Sequence, residues 1–85
     1  MATYTVIIVS SAERFIKKLD SHIAKAILKA IDGLALNPRP PQSKQLVSRL
    51  GRRLRIGDYR ILYTITDQEL IVTVVDVGHR KEVYR

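Results

Sequence analysis

Residues 53–63 read RLRIGDYRILY, and basic and apolar side chains alternate along most of this stretch. Successive side chains of a β-strand point to opposite faces of a sheet, so the pattern predicts two strands. Gly57-Asp58 separates them and has the length and composition of a two-residue hairpin turn. That turn sets the register, which places Arg55 opposite Arg60.

The predicted register sorts the side chains of the hairpin by face. One face receives apolar residues that can carry a core, namely Leu54, Ile56, Tyr59, Ile61 and Tyr63. The other face receives Arg53, Arg55 and Arg60. Like charges directly opposite each other destabilise a sheet by about 0.2–1 kcal/mol, so a sequence selected only for folding is expected to avoid them. We interpret the three arginines as a phosphate-binding cluster; the alternative is that a carboxylate such as Asp76 neutralises Arg60.

The remaining elements follow from hydrophobic period and from turn residues. They are a strand at 3–9, helices at about 10–19 and 21–36, a stiff loop at 39–44, and strands at 51–56, 59–66 and 70–77. Ser10 is the expected N-cap of the first helix, with Glu13 in capping-box spacing, and Asn37-Pro38 ends the second. The prediction is one α+β domain spanning 1–85, a β-α-α-β-β-β arrangement with a helical hairpin packed on an antiparallel meander.

Composition adds expectations about the compartment and the partner. The chain has no cysteine, which favours the cytoplasm. Its apolar N-terminal run lacks a basic region and is too short to span a bilayer, so no membrane partner is expected. The net charge is +7, and residues 39–60 hold seven basic residues against one acidic residue. Clustered arginine suits a polyanion, although a solvated basic face or a docking surface for an acidic protein remains open.

The C-terminal segment adds titratable side chains to this surface. Gly78 permits a sharp bend, so the residues after it are expected to fold back near the arginines. They bring an imidazole at His79, a guanidinium at Arg80 and a phenol at Tyr84. Each also has an ordinary structural alternative: a lone histidine is more often a packing residue, and Tyr84 could cover the sheet edge.

Taken with VGHRKEVY at 77–84, the stretch 53–63 resembles the C-terminal half of RelE-type toxins of the RelE/ParE toxin–antitoxin superfamily. The helical hairpin and its Asn37-Pro38 end also match. The resemblance implies a RelE-like microbial ribonuclease fold and a ribosome-dependent endoribonuclease that cleaves mRNA in the A site. It also implies inhibition by a RelB-like antitoxin.

The resemblance further implies roles for individual residues. Arg60 and Arg80 match catalytic arginines of the family, and Tyr84 matches its C-terminal catalytic tyrosine. Arg53 and Arg55 stand where the best-known members have lysines, which is a departure. The expected contacts to RNA phosphates come from Arg52, Arg53, Arg55 and Lys81.

Cleavage through the 2′-hydroxyl needs a base, cations around the phosphate and an acid for the leaving oxygen. No cluster in the sequence suggests a metal site, so no metal or cofactor is expected. Arginine stays protonated and is a poor base, which leaves Arg53 and Arg55 to stabilise charge. Tyr84 is the expected base because nearby guanidinium groups favour a phenolate, and His79 is a second candidate for base or acid.

Two other functions remain open from the sequence. ParE-type toxins share the fold but poison DNA gyrase without cutting RNA, and they do not need the combination of His79, Arg80 and Tyr84. A passive RNA- or protein-binding module is the third interpretation.

Overall fold

The computed structural model describes residues 3–46 and 51–79. Over these ranges the chain forms β1 (Thr5–Ile8), α1 (Ser10–Lys17), α2 (Ser21–Gly33), β2 (Ser43–Gln45), β3 (Arg52–Ile56), β4 (Tyr59–Thr66), a 3₁₀ turn (Asp67–Glu69) and β5 (Ile71–His79). The predicted α+β class and the order of its main elements are confirmed. Neither helix in these two ranges is long and apolar enough to cross a membrane.

The five strands form one mixed sheet in the order β1-β5-β4-β3-β2. Strands β2 to β5 pair antiparallel in succession, whereas β1 lies parallel to β5 with Thr5 opposite Ile71. The short edge strand β2 lies in a segment for which the sequence predicts mainly loop. Its residues have little intrinsic strand preference, and pairing with β3 holds them extended.

The predicted register of the central hairpin is confirmed. Ile56 pairs with Tyr59, Leu54 with Ile61 and Arg55 with Arg60. Gly57 has a φ of 58°, a left-handed conformation that glycine adopts without a steric penalty. Local turn chemistry therefore sufficed to set the arrangement of the arginines.

The helix ends differ slightly from their predicted positions. Ser10 is the first residue of α1 and not its N-cap; Val9 occupies the cap, and its carbonyl accepts the N–H of Glu13 at 3.0 Å. The second helix ends at Gly33, and 34–36 continue as a turn. Its predicted N-terminal boundary at Ser21 is confirmed.

Both helices cover the same face of the sheet. Ile16 from α1 and Ile27 and Ile31 from α2 are almost completely buried against that face. The sheet contributes Leu54, Ile61, Tyr63, Val72 and Val74 to this core. Tyr63 is fully buried, and its hydroxyl donates to the Pro38 carbonyl at 2.7 Å, which satisfies the polar end of the ring. The core thus occupies one face. The opposite face, which we call the open face, carries the exposed Arg55 but also Leu62 and Arg60, which are only 5% and 6% exposed.

Gly51 closes the connection between β2 and β3, and its conformation requires glycine. Its φ is +117°, and a Cβ built there would lie 2.9 Å from the Tyr63 carbonyl oxygen. Gly51→Ala is therefore expected to lower the free energy of unfolding by about 1–3 kcal/mol, measured by urea denaturation. Gly33→Ala in α2 is the control, because nothing lies within 4 Å of a Cβ there, and it is expected to be neutral or stabilising by up to about 1 kcal/mol. Equal stability of the two variants would contradict the prediction.

Candidate functional site

The open face of the sheet carries a basic cluster, which we define as Lys44, Arg53, Arg55 and Arg60. Lys44 pairs with Arg53 across β2 and β3, and Arg55 pairs with Arg60 across β3 and β4. Directly paired residues share a face, so the register alone brings the four side chains together. Arg55 and Lys44 are exposed, and Arg53 is partly buried. Lys44 joins the cluster only through β2, a strand the sequence did not reveal.

Arg60 differs from the rest of the basic cluster because it is buried, with 7% of its side chain exposed. Its Nη1 donates to the His79 carbonyl at 2.6 Å, and its Nη2 lies 3.8 Å from Oδ2 of Asp76. Asp76 therefore does lie beside Arg60, as in the alternative in which a carboxylate neutralises this arginine. Asp76 is half exposed and pairs with Leu62, directly beside a β-bulge. The hydrogen bond to His79 thus holds the Arg60 guanidinium in place, and Asp76 partly neutralises its charge. Arg60 still pairs directly with the like-charged Arg55.

The His79 carbonyl accepts a hydrogen bond from Arg60 of the basic cluster, but the His79 ring lies on the other face of the sheet. Strand β5 runs through Gly78 to His79, so the bend expected at Gly78 is wrong. The ring packs edge-to-face on Tyr59, with centroids 5.2 Å apart, and Tyr59 in turn contacts Phe15 at 6.3 Å. Tyr59 belongs to the helix-bearing face, so the His79 imidazole lies with that aromatic row.

Arg52 lies on the face opposite the basic cluster because it alternates with Arg53. Its Nε and Nη2 donate to Oγ of Ser43 at 3.1 and 3.0 Å, and the Ser43 hydroxyl donates to the Pro40 carbonyl at 2.7 Å. Arg52 therefore links β3 to the loop before β2. Arg80, Lys81 and Tyr84, which the sequence analysis also assigned to the site, lie outside the described residues.

A second polar network joins three segments of the chain: the residue before β1, the loop after α2 and the 3₁₀ turn after β4. Arg39 donates from Nη1 and Nη2 to Oδ1 and Oδ2 of Asp67 at 3.2 and 2.8 Å, and the Tyr4 hydroxyl donates to Oδ1 at 2.7 Å. The Arg39 hydrogen bond, followed by that from Tyr4, holds the pKa of Asp67 below its usual range. Donation to this carboxylate raises the pKa of the Tyr4 phenol. The partners are far apart in sequence, and no local pattern predicted the network.

The basic cluster suits stabilisation of a phosphate whose negative charge increases during a reaction. Guanidinium groups hold phosphate oxygens through charge-assisted, often bidentate hydrogen bonds. A buried guanidinium with its orientation already set, such as that of Arg60, needs little reorganisation when charge develops. Within 3–46 and 51–79, no group of three or more His, Cys, Asp or Glu side chains could hold a metal ion.

Known proteins similar to this chain share its length and its fold. The family model described as "ParE toxin of type II toxin-antitoxin system, parDE" matches residues 6–84. Toxin RelG of Mycobacterium tuberculosis is 33% identical over 86 residues, covering 96% of this chain and 97% of the relative. Toxin RelE of the same organism is 32% identical over 84 residues, covering 96% and 87%.

Solved structures give the same result. The toxin–antitoxin complex RelBE2 of M. tuberculosis contains a chain that superposes with a TM-score of 0.80 at 32% identity, covering 93% of this chain and 100% of the other. The archaeal RelE–RelB complex of Pyrococcus horikoshii shares the fold, with a TM-score of 0.81 at 22% identity over 95% and 99% of the two chains. The chain therefore belongs to the RelE/ParE superfamily of toxins from type II toxin–antitoxin systems, as a RelE-type member.

Proposed function

We propose that the protein is a ribosome-dependent mRNA endoribonuclease that cuts in the A site and thereby stops translation. The observation that carries this proposal is the basic cluster, in which the exposed Arg55 pairs with the buried Arg60 on the face opposite the helices. This pairing costs folding stability, and a bound phosphate backbone would compensate for it. Cutting mRNA on ribosomes places the activity in the cytoplasm.

The groups of the site divide the catalytic work. Arg60 holds the scissile phosphate, and Arg53 and Arg55 stabilise the negative charge of the pentavalent state. Arg80 and Lys81 add further positive charge, and Tyr84 is the base that takes the 2′-hydroxyl proton. His79 remains the second candidate for base or acid, but its ring packs on Tyr59 on the helix-bearing face, which favours Tyr84.

A RelB-like antitoxin is the proposed inhibitor. Relatives of this chain were solved together with RelB partners, and the net charge of +7 favours an acidic protein. A short acidic protein encoded beside this chain would fit the role.

The family model that matches residues 6–84 is described as a ParE toxin, which supports a second candidate function. A ParE-type protein would bind DNA gyrase and leave RNA intact. In that case the basic cluster would be a docking surface for gyrase.

Parallel assays of mRNA cleavage on purified ribosomes and of gyrase supercoiling distinguish the two functions. We expect cleavage without gyrase inhibition, and we expect Tyr84→Phe to slow cleavage about 10²–10⁴-fold, the usual contribution of a general base. Tyr4→Phe is the matched control, since its hydroxyl bonds Asp67 and not the basic cluster, and it should cleave within about threefold of the unmodified protein. Inhibited supercoiling with intact mRNA would establish the ParE alternative, and full activity of Tyr84→Phe would remove Tyr84 from the base role.

A further inference from the structure

A second arginine site lies on the helix-bearing face, beside the edge strand β2. A cavity of about 140 Å³ opens there, and the described residues that line it are Arg39, Gln45, Gly51, Arg52 and Ile65. Gln45 pairs with Arg52 across β2 and β3, so the carboxamide and one guanidinium share this face. Neither arginine belongs to the basic cluster of the open face.

Both guanidinium groups are held in position by hydrogen bonds within the protein. Arg39 donates to both carboxylate oxygens of Asp67, and Arg52 donates to the hydroxyl of Ser43, which is 5% exposed. A guanidinium has five N–H groups, and these bonds use only part of them. Ser43 is neutral, so its hydrogen bonds with Arg52 do not neutralise the guanidinium, whereas Asp67 does neutralise Arg39. Among the described residues, the cavity is therefore lined by two positioned guanidinium groups, of which Arg52 has no ion pair within that part of the chain.

The backbone at Gly51 contributes the shape of the cavity. The residue has a φ of +117°, and the space that a Cβ would need is occupied by the Tyr63 carbonyl oxygen. Gly51 therefore lines the cavity with main-chain atoms only, packed against β4.

We propose that this cavity binds one backbone phosphate of a single-stranded RNA, outside the cleavage site. Among its described lining residues only Ile65 is apolar, whereas a docked peptide usually needs a buried apolar anchor. Two guanidinium groups and a carboxamide line it instead, and their N–H groups match the oxygen acceptors of a phosphate.

The edge strand connects the cavity to the basic cluster. Lys44 and Gln45 are adjacent in β2 and point to opposite faces, with Lys44 beside Arg53 and Gln45 beside Arg52. An RNA backbone that crosses the sheet edge at β2 contacts both faces. This inference rests on the proposed function because both require RNA as the ligand. It concerns the binding of RNA in the cavity and does not depend on cleavage.

Gln45→Glu tests the proposal with little risk to folding, because Gln45 is exposed on an edge strand. The new carboxylate would face Arg52 and repel a phosphate. The assay measures the affinity of the full chain for a 2′-O-methyl RNA, which lacks the hydroxyl needed for cleavage, across a range of KCl concentrations. We expect binding about 5–10-fold weaker, and a slope of log affinity against log salt reduced by about 0.7, the value for one phosphate contact on a single strand.

Gln68→Glu is the matched control, since it makes the same charge change at an exposed residue that does not line the cavity. It should keep its affinity within about twofold. Arg55→Gln tests the basic cluster alone, because Arg55 does not line the cavity. If Gln45→Glu weakens RNA binding and Arg55→Gln does not, the result supports the cavity proposal and counts against the proposed function. Equal affinities and salt slopes for Gln45→Glu and Gln68→Glu would overturn the cavity proposal. The proposal would also be overturned if Gln45→Glu weakened the binding of an acidic peptide of glutamates and leucines, measured in the same way, but left the affinity for the RNA unchanged.

Discussion

Arg60→Met is expected to lower the free energy of unfolding by about 2–4 kcal/mol and the rate of mRNA cleavage by about 10³-fold. The buried guanidinium makes a 2.6 Å hydrogen bond to the His79 carbonyl and lies 3.8 Å from the Asp76 carboxylate. Its loss removes this hydrogen bond from the His79 carbonyl and takes the nearby positive charge from the Asp76 carboxylate. The half-exposed Asp76 can be rehydrated, which places the cost below that of a fully buried ion pair. Urea denaturation and single-turnover cleavage on ribosomes measure the two effects.

The double variant Arg60→Met with Asp76→Asn separates the stability effect from the catalytic effect. Removing the carboxylate that Arg60 compensates should restore part of the unfolding free energy. Cleavage should stay slow, because the phosphate still lacks its guanidinium. Recovery of cleavage in the double variant would show that Arg60 acts only by compensating Asp76. A single variant as stable as the unmodified protein would contradict the structural role.

Arg55→Gln is expected to slow cleavage about 10²–10³-fold, the effect of removing one preorganised donor from a developing negative charge. Stability should move in the opposite direction. The substitution removes the like-charged pairing with Arg60, so the unfolding free energy should stay constant or rise by about 0.2–1 kcal/mol. This opposite movement is the signature of a residue retained for function at the expense of folding.

Arg14→Gln is the matched control for Arg55→Gln, since it removes one exposed guanidinium from α1. It should leave cleavage within about twofold. Equal losses in the two variants would indicate that only overall net charge matters. Arg55→Lys adds a further comparison, because it keeps the positive charge but replaces the planar guanidinium with an ammonium group.

The fold class and the arginine register could be predicted because the information is local. The period of two on both sides of Gly57-Asp58 and the two-residue turn together determine which side chains share a face. The hydrophobic period likewise predicted the second helix, in which Ile27 and Ile31 are buried. The ends of the helices were predicted less accurately. A cap depends on a few weak hydrogen bonds, and helix ends one or two residues apart differ little in energy.

The candidate site was only partly predictable. Lys44 entered the basic cluster through β2, whose residues form a strand only because β3 lies beside them. The His79 ring went to the helix-bearing face because Gly78 continues the strand and does not bend it. The Arg39–Asp67–Tyr4 network and the Arg39–Arg52 cavity join residues from separate elements, so no window of sequence contains them.

Two kinds of information therefore determine this protein. The sequence by itself determined a basic α+β chain with Arg53, Arg55 and Arg60 on one face, because strand alternation and turn geometry act between near neighbours. Only the tertiary structure decided that Arg60 is buried beside Asp76, that Arg52 is hydrogen-bonded to Ser43 on the other face, and that Arg39 lines the same cavity as Arg52. Those contacts depend on how distant segments pack, and packing is a property of the whole chain.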